Sequence, residues 1–265
     1  MQNKRIKAVC ELRAKSRERR RQGLFVVEGY REITMAMAAG YRIHTLFFCA
    51  AMPDAVAFAE HTGNTAATLA ITKEAFEKAA CREDSGGLLA VAHARTGTLD
   101  GLKLSDNPFI IVAEAVEKPG NLGAMLRTAD AANADAVIVC DPLADIYSPN
   151  VIRSSLGSVF TQQVAVSDAA AAAAWLRSQR IVSYAAELTA TQWYHEADFT
   201  APCAIVMGSE ARGLSGGWMQ RADRRIKIPM RGQVDSLNVS VSTAILAFEA
   251  MRQRGFPAPV HGGGN

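Results

Sequence analysis

From residue 109 onward the chain alternates short, almost uninterrupted apolar runs with helical patterns, and this alternation limits the fold more than any other feature. The runs at 109–113, 136–140, 163–166, 181–185 and 204–207 are strand-length and rich in valine, isoleucine and alanine. Helical periodicity falls between them at 122–132, 150–156 and 169–178, the last with Asp168 placed to cap it. Continuous apolar strands separated by helices require a mostly parallel sheet covered on both faces, so the fold class is α/β. A short strand at 225–228 and a helix from 237 to about 254 complete this half.

The first hundred residues also alternate, in smaller units: a charged helix to Gln22, strands at 24–28, 43–48, 67–71 and 88–92, and helices at 30–39, 54–61 and from Lys73. Residues 95–107 interrupt the rhythm with glycine, aspartate and asparagine before Pro108 opens a fresh strand. The expected organisation is a small α/β domain at 1–95, a linker at 96–107, a larger α/β domain at 108–256 and a flexible glycine-rich tail at 257–265.

Net charge is only +3, but Met1–Gln22 holds nine lysines and arginines against two glutamates. Such a segment reads equally as a phosphate-binding surface or as a solvated helix face. No stretch approaches the roughly 18 apolar residues of a membrane span, so no membrane association is expected, and a soluble cytoplasmic protein is. The five cysteines, Cys10, Cys49, Cys81, Cys140 and Cys203, are scattered, without a Cys-x-x-Cys pair or a histidine at ligand spacing. Buried free thiols and no metal site follow. The five histidines are read as packed or surface residues.

Three segments place glycine, asparagine and charge just beyond apolar strands, where open α/β sheets bind ligands. The first runs from Glu114 through Pro119-Gly120 into a helix that carries Arg127, with Asn121 suited to cap it. Among apolar neighbours, a lone cation beside a glycine turn reads as a phosphate clamp. The second contains Gly208, Glu210 and Gly213, and the third places Asp235, Ser236 and Asn238 ahead of the last helix. None spells a P-loop or a G-x-G-x-x-G fingerprint, which disfavours a nucleoside triphosphatase and an ordinary dinucleotide enzyme.

Together, Asn121-x-Gly-x-x-x-Arg127, Met207-Gly-Ser-Glu-x-x-Gly-Leu214 and Ile228-Pro-Met-x-x-x-x-x-Ser-Leu-Asn-Val-Ser240 resemble, in order and spacing, the three motifs of the SpoU, or TrmH, family of RNA 2′-O-ribose methyltransferases. The resemblance spans about 109–254. Phe25-Val-Val-Glu-Gly29 after a basic helix resembles the substrate-binding domain that precedes the catalytic domain in many members. The resemblance implies an α/β trefoil knot formed by the C-terminal segment and S-adenosylmethionine as methyl donor. It also implies a homodimer, and RNA as substrate, with ribosomal RNA favoured over transfer RNA. It assigns the donor to main-chain groups at Gly208, Ile228 and Leu237, and catalysis to Arg127 assisted by Asn121, with Glu210, Ser236 and Asn238 ordering loops or positioning the ribose. Because a guanidinium is effectively never deprotonated, two roles stay open for Arg127, base and electrostatic clamp. The rival readings are a noncatalytic RNA-binding protein of this fold and an enzyme that methylates a base.

Overall fold

The computed structural model describes residues 4–62, 67–81 and 85–256. It divides into two compact units, Met1–Arg95 with Asp145–Thr161, and Thr96–Ala144 with Gln162–Asn265. In chain order the elements begin with α1 (Lys4–Ala14), α2 (Ser16–Gln22), β1 (Leu24–Glu28), α3 (Tyr30–Ala38), β2 (Ile43–Cys49), α4 (Pro53–Thr62), β3 (Ala67–Ile71), α5 (Lys73–Ala79) and β4 (Leu88–His93). After a 3-10 turn at Leu99–Gly101 come β5 (Phe109–Glu114), α6 (Pro119–Ala131), β6 (Ala136–Cys140), α7 (Pro149–Ser154), α8 (Ser158–Thr161) and β7 (Val164–Ser167). The chain ends with α9 (Ala169–Ser178), β8 (Val182–Ala186), β9 (Gln192–Trp193), β10 (Cys203–Met207), α10 (Gly216–Arg221), β11 (Arg224–Lys227) and α11 (Val239–Gln253).

In the first unit the sheet order is β1-β4-β2-β3, with β4 antiparallel to β1 and β2 and β3 parallel to β2. One face of this sheet buries Val26, Phe47, Leu89 and Val91 against Ile6, Val9 and Leu12 of α1 and Phe76 of α5. The N-terminal segment, read from sequence as one basic helix, is therefore two helices, and α1 is a core element. Two of its cations are structural. Arg13 reaches the carbonyls of Ala79 and Ala80 at the end of α5, at 2.8 and 2.5 Å. Arg19 is buried, pairs with Asp145 at 2.7 Å and donates to the carbonyls of Leu12 and Arg13. Lys4, Lys7, Lys15, Arg17 and Arg20 remain exposed.

The opposite face carries Phe25, stacked on Tyr147 at 4.3 Å, with Tyr41 edge-on to Phe160 at 5.1 Å. Apolar surface on both faces of a small sheet has to be covered. Residues of α7 and α8 supply the second cover, so 145–161 group with the first unit although the chain reaches them from within the second.

The second unit is a seven-stranded sheet, β7-β6-β5-β10-β8-β11-β9, parallel throughout. All residues of β5, β6 and β10 are buried, which is why, apart from Glu114 at the end of β5, their sequences are continuous apolar runs. On one face α9 and Trp218 of α10 pack over Ile110, Val112, Ile138 and Val206. Asp168 caps α9 as its sequence predicts, accepting from the Ala171 amide at 2.8 Å. Helices α6 and α11 pack on one another and against the central strands. The segment expected as a linker belongs to this unit: Gly97 bridges to Ala165, and Leu99, Leu102 and Leu104 pack on the core.

Candidate active site

The three motif segments all leave the carboxyl ends of strands of the parallel sheet: β5, its immediate neighbour β10, and β11. The first two start level, because Ala113 of β5 is in register with Met207 of β10. Glu210, in the loop after β10, reaches the N-terminus of α6. Its carboxylate accepts from the side-chain amide of Asn121 at 2.5 Å and from the main-chain amides of Glu117 at 3.1 Å and Lys118 at 3.4 Å. Burial acts to raise this carboxyl. The hydrogen bond from Asn121 and those from main-chain amides outweigh it, and the pKa is held below the ordinary value.

Asn121 therefore does not cap α6. That helix starts earlier, at Pro119, with Lys118 at the cap position and no side-chain cap. Proline suits the first helical position because its missing N–H would be unpaired there anyway, and this frees the Asn121 side chain for Glu210. The same side chain joins the third motif: the Asn238 amide donates to Asn121 Oδ1 at 3.2 Å. Asn238 in turn caps α11, accepting from the main chain and hydroxyl of Ser240 at 2.9 and 2.7 Å. A single chain of hydrogen bonds, Asn238 to Asn121 to Glu210, thus connects the three segments.

Gly208 begins a tight loop closed by reciprocal main-chain bonds between Ser209 and Gly213, at 2.9 and 3.0 Å. A Cβ at Gly208 would overlap the backbone of Gly213 and Leu214. Gly213 has φ +65°, a left-handed conformation that favours glycine. The far end of the loop is tied down by Glu114, a residue given no role from sequence. Only 2% exposed, it accepts from the Ser215 amide at 2.8 Å and hydroxyl at 2.5 Å. Its signal was the single acid closing the apolar strand Phe109–Glu114.

Ile228 is half-buried and Leu237 exposed. Among the described residues, the main-chain groups of 230–237 make no hydrogen bonds to other main-chain groups. This stretch, which includes Leu237 but neither Gly208 nor Ile228, offers main-chain amides and carbonyls to a ligand. Arg127 is exposed and, among the described residues, makes no side-chain hydrogen bond or ion pair. It lies about 9 Å further along α6 than Asn121 and about a third of a turn around it. Ser236 also stays outside the hydrogen-bonded chain; among the described residues its hydroxyl donates to Asp235 at 3.2 Å. No cluster of potential metal ligands occurs among the described residues. No disulfide forms among the described residues; Cys49, Cys140 and Cys203 are buried as expected, Cys10 is half-buried and Cys81 exposed.

A parallel sheet with glycine-bearing and main-chain-rich loops at its carboxyl ends is the layout of an α/β enzyme that binds a nucleotide-like ligand there. The particular family follows from comparison with known proteins. Residues 108–248 match the SpoU rRNA methylase family, and the chain belongs to it. Residues 3–90 match the MRM3-like substrate binding domain. A 23S rRNA (uridine(2479)-2′-O)-methyltransferase of Streptomyces viridochromogenes is 29% identical over 246 residues, covering 89% of this chain and 85% of that relative. The 23S rRNA (guanosine(2553)-2′-O)-methyltransferase RlmP of Bacillus subtilis is 31% identical, over 67% of this chain and 70% of that protein. Among solved structures, the SpoU methyltransferase AviRb from Streptomyces viridochromogenes in complex with AdoMet superposes with a TM-score of 0.88 at 27% identity, covering 96% of this chain and 98% of that one.

Proposed function

We propose that this protein transfers a methyl group from S-adenosylmethionine to a ribose 2′-hydroxyl of ribosomal RNA, on the 23S molecule. The observation that carries the reading is the hydrogen-bonded chain from Asn238 through Asn121 to Glu210. It orders three loops at the carboxyl ends of β5, β10 and β11, and Arg127, further along α6, is exposed and has no side-chain partner among the described residues. The names of the relatives supply the substrate class.

Bound S-adenosylmethionine supplies an electrophilic sulfonium methyl. Main-chain groups at Gly208, Ile228 and Leu237 hold the donor, and a C-terminal trefoil knot shapes its pocket. Asn121, Glu210 and Asn238 position the loops, and Ser236 the ribose. Arg127 keeps its charge at any working pH, so it clamps the adjoining RNA phosphate and stabilises the developing alkoxide, while the hydroxyl proton passes to a phosphate oxygen or water. The protein works in the cytoplasm as a homodimer. Support for the second copy comes from Val241 and Phe248, apolar residues seven apart on α11 that are 48% and 43% exposed.

The test is transfer of labelled methyl from S-adenosylmethionine to unmodified 23S rRNA and to transfer RNA, followed by nucleoside digestion, with Arg127→Ala as control. A 2′-O-methylnucleoside from 23S rRNA that disappears with the variant is the expected result. A methylated base, a transfer RNA product or donor binding without transfer would overturn it.

A further inference from the structure

The first unit carries a cluster of cationic and titratable side chains outside the site above, where β2 and β4 meet. Arg42 and His44 flank Ile43 at the start of β2, and His93 ends β4. Arg42 Nη2 lies 3.1 Å from His93 Nδ1, and the two imidazole rings are 5.7 Å apart. A guanidinium only donates, so His93 Nδ1 accepts and its proton sits on Nε2. His44 Nδ1 is engaged by the Thr45 hydroxyl at 2.8 Å, which leaves Nε2 as the unengaged nitrogen of that ring. Arg42 and His44 are exposed and His93 is half-buried.

The charges around this cluster are unbalanced. Those acting on His93 are Arg42 and His44; burial is the larger influence, and together they hold its pKa below the ordinary imidazole value. On the neighbouring strand the residue in register with His93 is the apolar Leu24. Through Gly23, β1 continues from α2, which presents Arg20 and Arg21, and the acid of that helix, Glu18, is engaged by Arg21 and Gln22. Among the described residues no carboxylate pairs with Arg42, His44 or His93. A guanidinium and two imidazoles held together without a counter-ion form a receptor for a doubly bonded oxyanion, and the anion's charge favours imidazole protonation.

We propose that Arg42, His44 and His93 form a phosphate cradle through which the first unit grips the RNA backbone, with a grip that tightens as the imidazoles protonate, because a protonated His93 no longer accepts from Arg42 and both groups then donate to the phosphate. The proposal rests on the RNA reading above and adds to it the residues and a pH dependence.

The test measures the dissociation constant of the full-length protein for an in vitro transcribed 23S rRNA. It compares about pH 8 with about pH 6, either side of the ordinary imidazole pKa, over a series of salt concentrations. Wild type gains about tenfold for each imidazole whose pKa the RNA raises by about one unit. The His44→Gln/His93→Gln double variant loses that gain while keeping the wild-type melting temperature, and Arg42→Gln reduces the salt slope by about one phosphate contact. Histidine NMR titrations read the same event directly, since RNA raises both pKa values. A pH gain that survives in the double variant overturns the cradle. So does an inorganic phosphate titration that shifts both resonances as fully as RNA, which makes this a free-anion site. Methyl transfer by wild type at the same pH values separates the outcomes: transfer with no cradle effect refutes the cradle alone, whereas neither RNA binding nor transfer refutes the functional reading as well.

Discussion

Replacing Gly208 by alanine places a methyl group where the backbone of Gly213 and Leu214 already lies. Main chain cannot rotate away as a side chain can, so the loop has to open, and the two Ser209–Gly213 bonds are lost. At about 1 kcal/mol for each bond, with about 1–3 kcal/mol for the overlap, the closed loop is destabilised by about 3–5 kcal/mol. The same displacement draws Glu210 away from Asn121 and from the α6 amides, and moves the Gly208 main chain assigned to the donor. The expected outcome is a melting temperature lower by about 10 °C together with S-adenosylmethionine binding weakened at least tenfold, read by thermal denaturation and titration calorimetry. Wild-type melting and wild-type donor affinity together in Gly208→Ala would refute the packing argument.

Arg127→Ala should melt within about 0.5 kcal/mol of wild type and bind donor normally, because the side chain is exposed and has no hydrogen-bond or ion-pair partner among the described residues, while transfer falls by about 10²–10³. A large loss of stability would instead make Arg127 structural. Arg19→Ala should destabilise the first unit by about 3–5 kcal/mol in urea titrations, since it leaves Asp145 13% exposed without its ion pair and orphans two carbonyls. Removing Asp145 in addition should cost little more, and additive losses would contradict the pairing. Glu210 has a depressed folded pKa, so its contribution is present above the ordinary value of 4.5 and is lost as pH falls through the folded value. Glu210→Gln should accordingly flatten the acid limb of stability below that value, and identical acid limbs in the two proteins would exclude the role.

Truncating the basic N-terminus would not isolate an RNA contact, because Ile6, Val9 and Leu12 are part of the first unit's core. Reversing the charge of the exposed Lys7, Arg17 and Arg20 leaves that core intact. The sequence showed the charge but concealed the apolar stripe beneath it: one buried residue in three is easily masked where Lys4, Arg5, Lys7, Glu11 and Arg13 surround it. The strands of the second unit were legible for the opposite reason. In β6 and β10 burial on both faces makes every position apolar, and the boundaries of the run at 136–140 agree with β6. Asp168 was equally legible, because a cap is a local interaction. Asn121 was misread as one because local chemistry alone favours it, whereas its partner Glu210 is 89 residues away.

Sequence by itself determined the parallel α/β class, the three motifs and their family resemblance, since apolar periodicity, helix caps and motif spacing are properties of neighbouring residues. Only the tertiary structure placed 145–161 with the first unit, packed the supposed linker on the second, made Glu114 the anchor of the Gly208 loop and gathered Arg42, His44 and His93 at one end of a sheet. Each of these depends on contacts between distant residues, and such contacts are fixed by which apolar surfaces remain to be covered and which polar groups remain to be paired once the whole chain has folded.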